Sequence, residues 1–92
     1  MKYFIYILKS TIDGSLYTGQ TIDLVKRIDK HNKGMIKSTK SKIPYKLCYF
    51  EEFETRADAM WREWELKNKW NTDRKRKLIK SFDKRNLENL GI

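Results

Sequence analysis

The chain has 92 residues, a net charge of +9 at pH 7, and 39% hydrophobic against 36% charged residues. This size predicts a single domain over residues 1–92, and the charge favours a polyanionic partner, with nucleic acid ahead of a membrane surface. The one cysteine, Cys48, excludes a disulfide within the chain, and no Cys/His spacing typical of a zinc site is present. No segment has transmembrane length and no signal-peptide pattern opens the sequence, so we expect no membrane partner and a cytoplasmic location.

The N-terminal segment predicts a β-hairpin. Residues 3–8 are six consecutive apolar or aromatic side chains, which is typical of a strand buried on both faces. Residues 16–21 form a second, more polar run, and Asp13-Gly14 between the runs favours a two-residue turn. Such a turn, or any loop of even length, puts Tyr6 and Tyr17 on the same face of the sheet. These tyrosines can be catalytic groups or ordinary core residues.

The next segment predicts a helix that begins at Ile22 after a Thr21 cap and ends at Gly34. Its apolar stripe consists of Leu24, Val25 and Ile28. Arg27 and His31 are four residues apart and therefore lie together, at the margin of this stripe. A basic pair in that position can line the floor of a cleft. It can equally be a snorkelling arginine beside an internally bonded histidine.

Residues 33–46 form a predicted basic loop without acidic residues. Lysines with neighbouring hydroxyl groups suit contacts to phosphate that carry no sequence information. The alternative is a solvated loop, and the two can coexist. The residues assigned to phosphate in this loop are Lys33, Lys37, Thr39, Lys40 and Lys42.

Residues 45–50 predict a third strand, which runs into the acidic residues 51–54, and there we expect a solvated strand end. The first strand has the pattern of burial on both faces, so it should lie in the centre of the sheet. This gives the strand order 2-1-3, in an antiparallel α+β fold with helices flanking the sheet.

Thr55 and Asp58 have the form of a capping box and predict the start of a second helix. The apolar stripe that we expect to face the core consists of Ala57, Met60, Trp61 and Trp64. The residues expected on the opposite face are Arg62, Glu65 and Lys69. Glu63 lies on a mostly apolar flank, and because an unpaired buried charge is costly, it needs a partner. Lys67, four residues on, is one candidate, and a metal ion is the other.

Asn71 and Thr72 can end that helix and cap a third. The apolar positions of the third helix are Leu78, Ile79 and Phe82. Residues 67–85 are predominantly basic, and we assign Lys67 and Lys75 to phosphate contacts, with a solvated flank as the alternative.

The order of these candidate residues on a β-β-α-β-α-α frame resembles the GIY-YIG nuclease domain, in its small single-domain bacterial branch. Phe4-Ile5-Tyr6 stands where that family has Gly-Ile-Tyr, and Tyr17-Thr18-Gly19 where it has Tyr-Ile-Gly. The resemblance continues through a helix with Arg27 and His31 and a helix with Glu63 and Lys67. Two positions depart from the family pattern. Phe4 replaces the first glycine, and Lys75 lies near the place where several members carry an asparagine.

The resemblance implies an endonuclease that hydrolyses phosphodiester bonds in DNA with Mg²⁺, or Mn²⁺, as cofactor. Glu63 would hold the metal and Arg27 would bind phosphate oxygens. Tyr6 or Tyr17 would act as the general base, with its pKa lowered by His31, Arg27 or the metal. Two other classes stay open: a catalytically silent nucleic-acid-binding module, and a protein-interaction domain that uses its three tryptophans and the acidic residues 51–54. Without a separate DNA-reading domain, target selection would rest on DNA structure or on a partner protein.

Overall fold

Three strands form one antiparallel sheet in the computed structural model, which describes residues 1–91. They are β1 (Tyr3–Ser10), β2 (Leu16–Thr21) and β3 (Tyr45–Phe53), and β1 lies between the other two. All four side chains from Ile5 to Leu8 are fully buried, because helices cover both faces of the central strand. The α+β class and the strand order 2-1-3 predicted from the sequence are therefore confirmed.

Helices form a layer on each face of the sheet. They are α1 (Leu24–Asn32), α2 (Arg56–Asn68), α3 (Thr72–Ser81) and the short α4 (Arg85–Glu88), which the sequence analysis did not predict. α1 packs against the face of β1 that carries Tyr6 and Leu8, whereas α2 packs against the face that carries Ile5 and Ile7. No helix within residues 1–91 is long and apolar enough to span a bilayer.

α3 extends the layer that α2 begins. The Asn71 side chain accepts a hydrogen bond from the backbone N–H of Arg74 and caps α3, as the sequence predicted. The predicted apolar positions Leu78, Ile79 and Phe82 pack on the same cluster as the buried residues of α2. α3 is therefore held to the sheet by its apolar side, and its basic residues other than the half-buried Lys75 are exposed to solvent.

The N-terminus of α1 differs from the prediction. The helix begins at Leu24, because the Asp23 carboxylate accepts the N–H of Lys26 at 3.1 Å and caps it. Thr21 instead accepts the N–H of Asp23 at 3.1 Å, one step earlier in the chain. Val25, predicted to face the core, is 51% exposed. The C-terminal prediction is confirmed, since Gly34 follows the helix with a φ of 75° that favours glycine.

The loop between β1 and β2 is longer than the predicted two-residue turn, and Leu8 pairs with Tyr17. Asp13 stays in the turn, where its carboxylate accepts the N–H of Ser15 at 3.0 Å. Residues 10–15 separate the last paired residues, Lys9 and Leu16, and because this number is even the two tyrosines still share a face. The rings of Tyr6 and Tyr17 lie 6.4 Å apart.

α2 is rotated about its axis relative to the prediction. The stripe expected in the core is exposed, by 50% at Met60, 65% at Trp61 and 44% at Trp64, and Ala57 is exposed as well. The residues that face the sheet are Ala59 and Leu66, both fully buried. A small residue at position 59 lets the helix approach the sheet closely, whereas indoles would hold it away.

An ion-pair network explains the rotation. Glu51 points from β3 toward α2, and Arg62 meets it with two parallel bonds of 2.8 and 2.9 Å. The third guanidinium nitrogen of Arg62 bonds Glu65 at 2.5 Å. Because a half-buried carboxylate needs a partner, the arginine fork takes the position that the pattern had assigned to apolar side chains. The prediction of a solvated acidic strand end holds for Glu52 and Glu54, which are exposed, but was wrong for Glu51. The prediction that Arg62 and Glu65 face away from the core was also wrong.

Candidate active site

Gly19 brings the two tyrosines together at the β2 edge of the sheet. It lies directly opposite Tyr6 in the β1–β2 ladder. A Cβ atom at Gly19 would stand 2.5 Å from the Tyr6 hydroxyl oxygen and 3.1 Å from a ring carbon of Tyr17. The glycine is thus required by close approach: the phenol of Tyr6 occupies the volume of the missing side chain.

His31 accepts a hydrogen bond from the Tyr6 hydroxyl. The His31 side chain is fully buried, with its Nε2 2.8 Å from the Tyr6 hydroxyl and its Nδ1 2.7 Å from the Thr39 hydroxyl. Burial, aided by the charge of Arg27, lowers the pKa of His31 to about 4, so the imidazole is neutral at neutral pH. The Thr39 hydroxyl can donate to the carbonyl oxygen of Ile36 at 3.4 Å, which leaves its oxygen to accept Nδ1–H. Nε2 is therefore the acceptor for Tyr6 in this network.

Arg27 stands on the other side of the Tyr6 hydroxyl. Its Nε donates to that oxygen at 3.4 Å, and within residues 1–91 its two terminal nitrogens bond no other group. Burial raises the pKa of the Tyr6 phenol; the bond and charge of Arg27 oppose this rise, and Glu63 adds to it. A guanidinium fork with two free nitrogens is suited to bind a phosphate group.

A groove of about 280 Å³ opens beside Arg27 at the start of α1. Lys26 and Lys30 line it together with Arg27. On a helical wheel both lysines lie on the solvent side, so their residue pattern assigned them no function. In the structure they line the same opening as the arginine.

Glu63 reaches this edge from the opposite layer of the fold. Its side chain is 19% exposed, and its carboxylate lies 3.1 Å from the Lys67 amine. The other oxygen accepts the side-chain amide of Gln20, on β2, at 3.0 Å. The Lys67 amine also lies 5.7 Å from the centre of the Tyr17 ring. Because β2 is an edge strand, a residue of α2 can approach the tyrosines around it.

Glu63 can bind a magnesium or manganese ion only where water and substrate supply the remaining ligands. Within residues 1–91 no group of three or more His, Cys, Asp or Glu side chains is placed to hold a metal. Mg²⁺ is commonly bound through one or two carboxylates, with water and substrate phosphate completing its shell. Each oxygen of Glu63 keeps a lone pair beside its bond to Gln20 or Lys67. Glu63 can therefore serve a substrate-linked metal, but not a structural one.

The lysines that the sequence assigned to phosphate contacts are exposed, except Lys75, which is half-buried. Lys33 pairs with Asp29 at 2.8 Å and Lys42 with Asp13 at 3.1 Å, and both amines are exposed. Lys37 and Lys40 are exposed as well. Exposed ion pairs of this kind are weak, so their amines remain free to contact phosphate.

Thr39 does not fit the phosphate contact that the sequence predicted. It is fully buried, and its hydroxyl is bonded to His31 at 2.7 Å. It is the residue just before a one-turn 3-10 helix, Lys40–Lys42, whose N–H groups its side chain does not cap. Thr39 therefore orients the imidazole of His31. The sequence gives one indication of this role, which is that a buried histidine needs a hydrogen-bond partner.

Lys75 approaches the same edge from α3. It is half-buried, and burial, aided by the charge of Lys67, lowers the pKa of its amine. Its charge therefore lies near that of Lys67, which bonds Glu63. Gln20 is the site residue that the sequence analysis missed, because its role depends on where α2 packs.

Comparison with known proteins shows to which family the chain belongs. Residues 2–77 match the model of the GIY-YIG catalytic domain. The chain belongs to the GIY-YIG family. It is 48% identical over 79 residues to a UPF0213 protein of Staphylococcus saprophyticus, a match that covers 85% of this chain and 94% of that protein. A UPF0213 protein of Staphylococcus aureus is 44% identical over 80 residues, covering 86% and 95%.

A solved structure of a related protein has the same fold. The solution NMR structure of a UPF0213 protein from Bacillus halodurans is 36% identical, covers 87% of this chain and 84% of its own, and superposes with a TM-score of 0.56. In the present GIY-YIG chain, direct contacts join Tyr6, Tyr17, Arg27 and His31. Glu63 is linked to them through Lys67.

Proposed function

We propose that this GIY-YIG chain is an endonuclease that hydrolyses phosphodiester bonds in DNA and depends on Mg²⁺, with Mn²⁺ as a substitute. One observation carries the proposal: the Tyr6 hydroxyl is held between a neutral imidazole and a guanidinium whose terminal nitrogens are free. A tyrosine that only packs in the core needs neither an imidazole nor a guanidinium beside its hydroxyl. Hydrolysis of a phosphodiester needs both a polarised hydroxyl network and positive charge on the phosphate.

The two tyrosines take different roles in this proposal. Tyr6 is fully buried, so its hydroxyl positions His31 and Arg27 rather than meeting solvent. Tyr17 is only half-buried and packs edge-on against His31 at 5.1 Å between ring centres. We therefore assign the contact with the attacking water, and the role of general base, to Tyr17.

Arg27 binds the phosphate through its terminal nitrogens, and the exposed lysines beside it bind neighbouring phosphates. Glu63 would hold the metal, which when bound supplies positive charge to the phosphate and to the leaving oxygen. Gln20 and Lys67 keep the Glu63 carboxylate turned toward the β2 edge.

The test is incubation of the pure protein with duplex, nicked, branched and single-stranded DNA and with RNA, with Mg²⁺ or with EDTA. We expect cleavage of DNA that requires Mg²⁺. Glu63→Gln keeps the shape of the side chain but loses its charge, so cleavage should disappear. Loss of the partly exposed Glu63–Lys67 pair should cost at most about 1 kcal/mol of unfolding free energy.

Glu65→Gln is the matched control, since Glu65 lies on the same helix and bonds Arg62 away from the tyrosines. It should retain cleavage. Equal Mg²⁺-dependent cleavage by the wild type and by Glu63→Gln would remove Glu63 from the metal site. The alternative, a catalytically silent DNA-binding module, is favoured by the occupation of both Glu63 oxygens by Gln20 and Lys67. DNA binding without cleavage of any substrate would establish that alternative.

A further inference from the structure

Two tryptophans stack on each other on the solvent side of α2. The ring centres of Trp61 and Trp64 are 5.1 Å apart, and the ring planes are inclined by 19°. Both rings are exposed, and the core beneath the helix is complete without them, since Ala59 and Leu66 fill it. Contiguous exposed aromatic surface on a small basic protein is typical of a binding site.

Positive charge borders these rings. The Lys69 amine lies 5.6 Å from the centre of the Trp64 ring, close enough for a cation–π contact. Trp64 is three residues before Lys67 on the helix, so the two share one side, and Lys67 bonds Glu63. The aromatic surface therefore begins at the border of the candidate active site. Asp58 and Glu65 border its far side, and Glu65 is bonded to Arg62.

We propose that Trp61 and Trp64 form a stacking platform for unpaired bases of single-stranded nucleic acid, whose backbone continues to the site at the β2 edge. Indole faces stack on any base, and adjacent lysines bind the backbone, which is the usual construction of sites for single strands. The inference rests on the proposed function and deepens it: the substrate class is DNA with a single-stranded segment next to the cleaved bond.

The positive charge of the protein favours single-stranded nucleic acid at the two tryptophans over a second copy of the chain or an apolar protein surface. A second copy of the chain would bring together two molecules that each carry +9, and their repulsion opposes association. An apolar protein surface would cover Lys67 and Lys69 without pairing their charges. A single strand satisfies both the flat rings and the amines.

The test compares strands that differ only in their bases. In EDTA, the protein is added to end-labelled oligothymidylate of about 12 nucleotides, or to an abasic strand of equal length, and the anisotropy of the label reports binding by every variant. The wild type should bind the oligothymidylate at least about tenfold more tightly than the abasic strand, and its tryptophan emission should be quenched. Trp61→Ala with Trp64→Ala should bind both strands equally, whereas Trp61→Phe with Trp64→Phe should keep most of the preference because a ring remains.

Ile12→Ala is the control, since Ile12 is equally exposed but lies in the β1–β2 loop. It should keep the full preference, and melting curves should show all variants folded. Equal binding of both strands by the wild type overturns the platform. So does a dimer in sedimentation that the double alanine variant loses, because a second copy then covers the rings. Absence of base-dependent binding with intact Mg²⁺-dependent cleavage rejects the platform alone; base-dependent binding without cleavage rejects the nuclease alone.

Discussion

At the scale of single residues, one chain of hydrogen bonds defines the candidate active site. It runs from Arg27 through Tyr6 and His31 to Thr39. Each member is held by the next, so the imidazole has one tautomer and the phenol one orientation. Removing a member leaves a buried group without its partner, which is more costly than losing an exposed bond.

The two tyrosine hydroxyls should be separable. Tyr17→Phe removes the proposed general base and should lower cleavage by ~10²-fold or more, with DNA binding and stability retained. Tyr6→Phe leaves Nε2 of His31 unsatisfied and should cost about 1–3 kcal/mol of unfolding free energy. Single-turnover cleavage and urea unfolding of both variants measure this. Wild-type cleavage by Tyr17→Phe would return that residue to simple packing.

The buried imidazole should make stability depend on pH. The pKa of His31 falls from its ordinary value of 6.5 to about 4 in the folded chain. Between these values the unfolded chain binds a proton that the folded chain does not, so stability decreases as pH falls from 6.5 to 4. The total loss should be about 3 kcal/mol.

The measurement for this prediction is urea unfolding at several pH values for the wild type and for His31→Gln. The glutamine variant lacks the titration, so the difference in unfolding free energy between the two proteins should shrink as pH falls. A difference that stays constant over this range would show that His31 is protonated in the folded chain.

At the scale of elements, the site is built on an edge strand between two layers. On one face of the sheet, Arg27 and His31 of α1 contact Tyr6 of β1 and Tyr17 of β2. Glu63 of α2 reaches β2 around its edge, where it bonds Gln20. The strand can do this because Gly19 has no side chain in the path of Tyr6. A central strand would separate the two layers completely.

Gly19→Ala should therefore destabilise the protein by about 1–3 kcal/mol, because its methyl group would overlap the Tyr6 phenol. Cleavage should also fall, since Tyr6 must move away from His31. The measurement is a double-mutant cycle of unfolding free energies with Tyr6→Ala, which removes the obstructing ring. The alanine at position 19 should cost little in that background. Additive effects would show that the glycine has another role.

At the scale of the whole molecule, the positive charge lies on the surface and is separated from the core between the helices and the sheet. The chain carries +9, and the cations of α1, the basic loop and α3 are mainly on the surface. The apolar core lies on both faces of the sheet, beneath the helices, so these surface cations do not disturb it. The surface is therefore suited to bind a polyanion without a large structural change.

Affinity for DNA should fall steeply with salt. If about five phosphates are neutralised, the slope of log affinity against log salt should be roughly −4 to −5. Fluorescence titrations in EDTA at several salt concentrations measure it. Lys37→Ala with Lys40→Ala should reduce the slope by about 2, because each removes one phosphate contact. A slope near zero would contradict a nucleic-acid partner.

Local patterns in the sequence were sufficient for the order of the strands, the shared face of Tyr6 and Tyr17, and the cap of α3. Each depends on a short-range rule. An unbroken apolar run marks a central strand, an even loop preserves the face whatever its length, and Asn71 bonds an N–H three residues away. The motif order of the GIY-YIG family was also readable, because it is a property of the chain.

The tertiary structure alone decided how α2 faces the sheet, which left Trp61 and Trp64 in solvent. It also decided the enclosure of Thr39 and the pairing of Gln20 with Glu63. Apolar spacing identifies a stripe on a helix, but Arg62 was drawn inward by Glu51, a residue of another element. The energy of a buried charge depends on the partner that arrives from elsewhere in the fold, and that partner is not encoded in local spacing.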